Sequence, residues 1–224
     1  MDSFETVSEQ AEAKRLLRAA LADAPAHAYL FHGPPGVGKR ALATAFAAEL
    51  LGDSTRVERR AHPDLYVLEP LGDQIRIDAI RTLRRDLHMR PFEADRRVYL
   101  LFGAHQLNEE AADALLKDLE EPPAYAVLVL VADELGPLPE TIRSRCQLVR
   151  FDARGPNETA AELETLGVDA DTALACARLA LGDAGHNVVE RRSLPQTRAL
   201  IIGKEKQAIA PDGAAHRTAE LIAF

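Results

Sequence analysis

Three stretches of this chain are apolar at nearly every position: Ala28-Tyr29-Leu30-Phe31-His32, Val98-Tyr99-Leu100-Leu101-Phe102, and residues 126–132. Uninterrupted runs of this length are what strands buried on both faces of a parallel sheet require. Two weaker runs predict short strands: Leu65-Tyr66-Val67-Leu68-Glu69, ended by Pro70, and residues 146–151, beginning at Cys146. Elsewhere the apolar spacing changes to three and four. Ala13, Leu16, Leu17, Ala20 and Leu21 predict a helix behind a capping box at Thr6-Val7-Ser8-Glu9. Residues 41–51 predict a second helix. Ile80, Leu83 and Leu87 predict a third, capped by Asp78 and closed by Pro91. Ala111, Ala112, Leu115, Leu116 and Leu119 predict a fourth, capped by Asn108 and stopped by Pro122-Pro123. Residues 52–60 read as charged and turn positions. Strands alternating with helices give an α/β fold, a three-layer α/β/α sandwich on a mainly parallel sheet. Past Gly155-Pro156 the strand pattern stops, and residues 159–166 and 172–181 predict helices with Gly182 as an end. The expected organisation is an α/β domain over residues 1–153, a small helical domain over 154–192 and a tail over 193–224. In the tail Ala199-Leu200-Ile201-Ile202 fits helix or strand, and Pro211-Asp212-Gly213 fits a turn.

The first apolar run leads directly into Gly33-Pro34-Pro35-Gly36-Val37-Gly38-Lys39-Arg40. Between a strand and a helix, G-x-x-x-x-G-K spacing makes a phosphate cradle, or P-loop. Its glycines let backbone N–H groups curl round an anion, the helix N-terminus adds partial positive charge, and the lysine reaches the terminal phosphates. The candidate nucleotide-binding residues are therefore Gly33, Pro34, Gly36, Val37, Gly38, Lys39 and Arg40. One position departs from the pattern. A Ser or Thr hydroxyl after the lysine would ligate Mg²⁺, and Arg40 has no acceptor with which to do so.

The 224 residues are 47% apolar and 28% charged, enough for one sizeable core and a small second domain. No segment approaches the roughly 20 apolar residues of a membrane span, and Met1-Asp2-Ser3-Phe4-Glu5 has no signal-peptide character, so a cytoplasmic protein without membrane contact is expected. Cys146 and Cys176 are too few for a four-cysteine zinc site and read as buried thiols. The net charge of −8 argues against a protein that coats nucleic acid by itself. Arg81, Arg84, Arg85, Arg90, Arg96 and Arg97 form a cluster that is either a solvated helix face or a local basic face toward DNA.

Four segments taken together carry a resemblance. Residues 31–39, His62-Pro63-Asp64, Ala114-Leu115-Leu116-Lys117-Asp118-Leu119-Glu120-Glu121-Pro122-Pro123 and Thr141-Ile142-Arg143-Ser144-Arg145-Cys146 resemble, in order and spacing, the AAA+ clamp-loader subunits of bacterial DNA polymerase III. The resemblance covers roughly residues 1–190. It implies the AAA+ version of the sandwich, with residues 154–192 as the helical lid. In the catalytic members the central strand ends in acidic residues, the next strand presents a polar residue to the γ-phosphate, and the lid offers an arginine. Here the matching positions are Phe102-Gly103, Ala132-Asp133 and Gly182-Asp183-Ala184-Gly185-His186. Alanine offers nothing, an aspartate would repel phosphate, and without these parts hydrolysis should be negligible.

Such losses beside intact structural motifs resemble the delta-prime type, a stator without turnover of its own. The resemblance implies that Arg145 is an arginine finger given in trans to a neighbour's ATP site. The alternative for Arg145 is a helix-end cation paired with a nearby carboxylate. Implied partners are the clamp-loader ATPase subunits and the delta subunit, with the sliding clamp and primer–template DNA reached through the complex. Two other functions remain open: a weak ATPase in which Arg40 replaces part of the Mg²⁺ charge, and a sensor holding ATP or ADP without turnover. Relatives with a four-cysteine zinc module carry it where residues 52–61 lie, and the absence of cysteine there predicts no zinc. They also usually continue into a helical collar, and with the tail ending at Phe224 no full collar is expected, as in a short relative or an incomplete product.

Overall fold

The computed structural model describes residues 3–6, 10–153, 155–165 and 167–180. The chain divides into two compact units, Met1–Asp152 and Ala153–Phe224. In the first, five strands form one parallel sheet: β1 Ala28–His32, β2 Leu65–Leu68, β3 Arg97–Phe102, β4 Ala126–Ala132 and β5 Gln147–Arg150. Their spatial order is β2-β3-β4-β1-β5, which leaves β3, β4 and β1 interior. These are the three uninterrupted runs, and every residue of β3 and β4 is buried. Burial on both faces hides a period of two. Tyr29, Phe31, Val98, Leu100, Val127 and Val129 face one apolar layer, while Leu30, Tyr99, Leu101, Leu128 and Leu130 face the other.

Helices α1 Ala11–Ala22, α2 Lys39–Leu51 and α3 Ser54–Glu58 contribute to the first layer, where Tyr29 meets Phe46 edge-on at 5.1 Å. Helices α4 Ile77–Leu87, α5 Glu109–Glu120 and α6 Glu140–Arg143 contribute to the second. Asn108 caps α5 as expected, its side-chain oxygen accepting from Ala111 N at 3.0 Å, a contact that typically stabilises by about 1 kcal/mol.

Several boundaries differ from expectation for local reasons. Arg76, not Asp78, holds the cap position of α4. The bonds Ile75 N to Gln106 O and Asn108 N to Ile75 O fix the chain beside α5, so the helix starts immediately afterwards. Asp78 lies in the first turn, where a carboxylate favours the helix dipole, and accepts from Arg81. The expected box at 6–9 does not adjoin α1: Thr6 ends a 3-10 helix over Ser3–Thr6, and residues 7–9 lie outside the described residues. Gln10, left-handed at φ 55, precedes α1 instead, with its amide bonded to the backbone of Asp152 just after β5. Residues 52–60 contain α3 because Asp53 caps it through Arg56 N. Cys146 precedes β5 rather than opening it, and burial pushes its thiol up to about 12.

In the second unit α7 Pro156–Thr165 and α8 Ala170–Ala180 pack through Ala160, Ala173 and Ala177. Pro156, read as a break, is the first residue of α7, where proline's missing N–H costs nothing. The expectations for Leu166, Leu181, Gly182–His186 and the 193–224 tail lie outside the described residues.

Candidate functional site

The P-loop connects the end of β1 to the start of α2. Parallel register sets what surrounds it. His32 lies opposite Ala132 of β4 and Arg150 of β5, so Gly33 emerges between Asp133 and Phe151. A Cβ at Gly33 would run into the carbonyl oxygen of Phe151, and its φ of 145 also favours glycine. Gly38, at φ 88, is the residue from which α2 begins, and Leu42 N already bonds to its carbonyl. Val37 is buried beneath the turn.

Lys39 is only 4% exposed, and its ammonium is fully engaged within the fold. It donates to Gly33 O at 2.6 Å and to Pro34 O, and it pairs with Asp133 Oδ1 at 2.9 Å. Burial holds its pKa below the ordinary lysine value despite the opposing pull of Asp133. Asp133, directly after β4, donates its backbone N–H to His105 Nδ1 at 3.1 Å.

Arg40 turns away from the loop. Its guanidinium pairs with Glu69, just past β2, and lies 4.2 Å above the ring of Phe102, the last residue of β3. Glu69 also binds Arg60 at 2.8 Å. In a working P-loop ATPase this region holds a metal between a hydroxyl and an acidic strand end. Here a fixed cation, an aromatic face and Gly103 occupy it. Gly103 has φ 70, and a Cβ there would meet Pro70 Cγ at 3.2 Å. Among the described residues, no group of three or more His, Cys, Asp or Glu side chains could hold a metal.

Arg145 follows α6 and Ser144. It donates to Thr141 O at 2.8 Å and, through Nη2, to Glu120 Oε1 at 2.6 Å, with its side chain 34% exposed. The pair borders an open cavity of about 560 Å³ lined by His27, Leu119, Glu120, Ser144 and Arg145. His27 precedes β1 and Gly33 follows it, so the strand puts about 20 Å between the two places. Arg145 therefore does not join its own P-loop.

His62-Pro63-Asp64 proves to be a clamp. Asp64, 0% exposed, accepts from Phe92 N at 2.6 Å, Glu93 N at 2.9 Å and Ala94 N at 2.9 Å, while His62 Nδ1 accepts from Asp64 N. Burial pushes the Asp64 carboxyl up, but the N–H groups of Ala94, Phe92 and Glu93 outweigh it and hold the pKa below the usual range.

The arginine cluster is not one face. Arg97 is buried against Asp86, Arg84 binds the buried Asp118 at 2.6 Å, and Arg81 pairs with Asp78. Arg145, just after α6 and paired with Glu120, has the geometry of the helix-end alternative; Glu69 escapes sequence reasoning as the partner of Arg40, and Asp133, expected beside the phosphate site, escapes it as the partner of Lys39. The strand register His32 to Ala132 sets Asp133 beside the loop, where the resemblance expects the residue facing the γ-phosphate.

A sequence model of the family described as DNA polymerase III, delta subunit, matches residues 9–154. The DNA polymerase III subunit delta' of Pseudomonas aeruginosa is 42% identical over 136 residues, covering 54% of this chain and 42% of that protein. The subunit delta' of Bacillus subtilis is 32% identical over 180 residues, covering 75% of this chain and 53% of the relative. A crystal structure of a DNA polymerase III gamma subunit-related protein from Thermotoga maritima superposes with TM-score 0.55 at 27% identity, over 75% of this chain and 57% of that one. The chain spans about half the length of the curated relatives it matches. Among the described residues no helix is long and apolar enough to cross a membrane. The sheet order, the P-loop and these likenesses agree that the fold is the AAA+ one, and the chain belongs to the DNA polymerase III delta subunit family, with subunits named delta' among its relatives.

Proposed function

We propose that this chain acts as a non-catalytic stator of the DNA polymerase III clamp loader, lending Arg145 to the nucleotide site of an adjoining ATPase subunit while the sliding clamp is loaded in DNA replication. The observation that carries the reading is the state of its own phosphate site. Arg40 packs on Phe102 and binds Glu69 where metal chemistry would be organised, so the chain keeps the frame of an ATPase without the means of turnover. Any ATP or ADP held by Gly33, Pro34, Gly36, Val37, Gly38, Lys39 and Arg40 stays unhydrolysed. Arg145 borders an open groove with His27, at the opposite end of β1 from the P-loop, which supports giving the arginine to a neighbour's phosphates rather than to its own. The ion pair with Glu120 keeps the guanidinium extended until a stronger anion replaces the carboxylate. The partners under this reading are the ATPase subunits and the delta subunit, with the clamp and primer–template DNA engaged through the complex.

The test is the clamp- and DNA-stimulated ATPase rate of the complex reconstituted with wild-type chain or Arg145→Ala. The expected result is a loss on the order of 10³-fold or more, with assembly unchanged by gel filtration. An undiminished rate in a complex that assembles would make Arg145 structural.

A further inference from the structure

The P-loop lysine of this chain is already paired with an anion, and it is one of the chain's own side chains. An ammonium has three N–H donors. On Lys39, 4% exposed, these face Gly33 O, Pro34 O and Oδ1 of Asp133, whose side chain is 45% exposed on its other side. Asp133 is held where it can do this from two directions. Parallel pairing of His32 with Ala132 sets it beside the loop, and its backbone N–H is fixed by His105 Nδ1 at 3.1 Å. The second cation that a phosphate would seek, Arg40, is 58% exposed and is turned toward Glu69 and the ring of Phe102.

We infer that Asp133 is an internal phosphate substitute that closes this P-loop, and that removing its charge uncovers a metal-independent site for a polyphosphate, nucleotide or inorganic. Nothing in this depends on the proposed role of Arg145. An incoming phosphate must displace the Asp133 carboxylate from Lys39 and then remain beside it, two like charges sharing one buried cation. Asparagine in its place keeps an acceptor for Lys39 and removes the repulsion. The loop backbone and Gly38 at the start of α2 then offer the phosphate the N–H groups they offer in any P-loop.

The experiment titrates the full chain with ATP and, separately, with inorganic tripolyphosphate, both in EDTA, by calorimetry. The expected result is that Asp133→Asn binds each at least about tenfold more tightly than wild type, that excess Mg²⁺ adds nothing, and that Lys39→Met in the Asp133→Asn background abolishes the gain. A gain for ATP alone would overturn the inference by moving the effect to the base or ribose. So would equal affinity in wild type and variant. Should Asp133→Asn fail to fold, Asp133→Ser takes its place, and the thermal melts of Lys39→Met, Asp133→Ser and the double variant, without ligand, form a second measurement. Non-additive losses of stability are expected if the two side chains are one another's ligand, and strictly additive losses would overturn the pairing.

Discussion

At the scale of single residues, Arg40 shows how one substitution propagates. A hydroxyl at this position would point toward a metal. A guanidinium instead needs an acceptor and a surface, and it finds both in Glu69 and the ring of Phe102. Those contacts make the loss hard to reverse. Restoring a hydroxyl with Arg40→Thr leaves Phe102 where an acidic group is needed. Adding a carboxylate with Gly103→Glu forces a side chain onto φ 70 against Pro70. Neither change frees Lys39 from Asp133. The double variant Arg40→Thr/Gly103→Glu should therefore release phosphate from ATP no faster than wild type in a steady-state assay. A turnover near 1 per second, about the low end of competent phosphoryl-transfer enzymes, would refute this account of the site.

At the scale of elements, the H-P-D sequence is the clearest case of a motif with a structural cause. Asp64 precedes β2 and gathers three backbone N–H groups from the segment that leads into β3. It thereby starts the pairing in which Leu65 lies beside Val98. Because its pKa is lower folded than unfolded, its contribution is fully present above the unfolded value of about 4 and is lost as pH falls through the depressed folded value. Asp64→Asn, with one acceptor oxygen for three donors, should cost about 2 kcal/mol at pH 7 in urea denaturation. The gap between variant and wild type should close as the pH is taken down below about 4. A gap that persists at pH 2 would show that shape, not charge, holds the segment.

What could be read from residues alone follows the same division. The three apolar runs marked the interior strands because burial on both faces leaves no other composition possible. Asn108 was legible as a cap because its hydrogen bond spans only to Ala111. Asp133 is legible beside the phosphate site and a nearby carboxylate is one reading of Arg145, but the pairings Lys39–Asp133, Arg40–Glu69 and Arg145–Glu120 are not, because sheet order and packing bring them together. Nothing in the local spacing of either partner encodes that adjacency. Asp78 was misplaced for a related reason: the true start of α4 is fixed by the bonds that Ile75 makes beside α5.

At the scale of the whole molecule, the residues from Met1 to Asp152 contain every strand described and helices on both faces of the sheet. Among the described residues, both apolar layers of this unit are built from its own strands and helices. A fragment of residues 1–152 should accordingly unfold in one cooperative thermal transition followed by circular dichroism, within a few degrees of the corresponding transition of the full chain. A fragment with native helix content but no cooperative melt would mean that the second unit completes the first.

The separation of the P-loop from Arg145 along β1 has a consequence for counting. When identical sites are filled head to tail around a ring, each member both gives and receives, and no member comes first. Under the proposed role, a chain that gives at one end of a strand and fires nothing at the other breaks that equivalence. Placed among such subunits it supplies a fixed origin, from which the sites that can fire are numbered in one direction only.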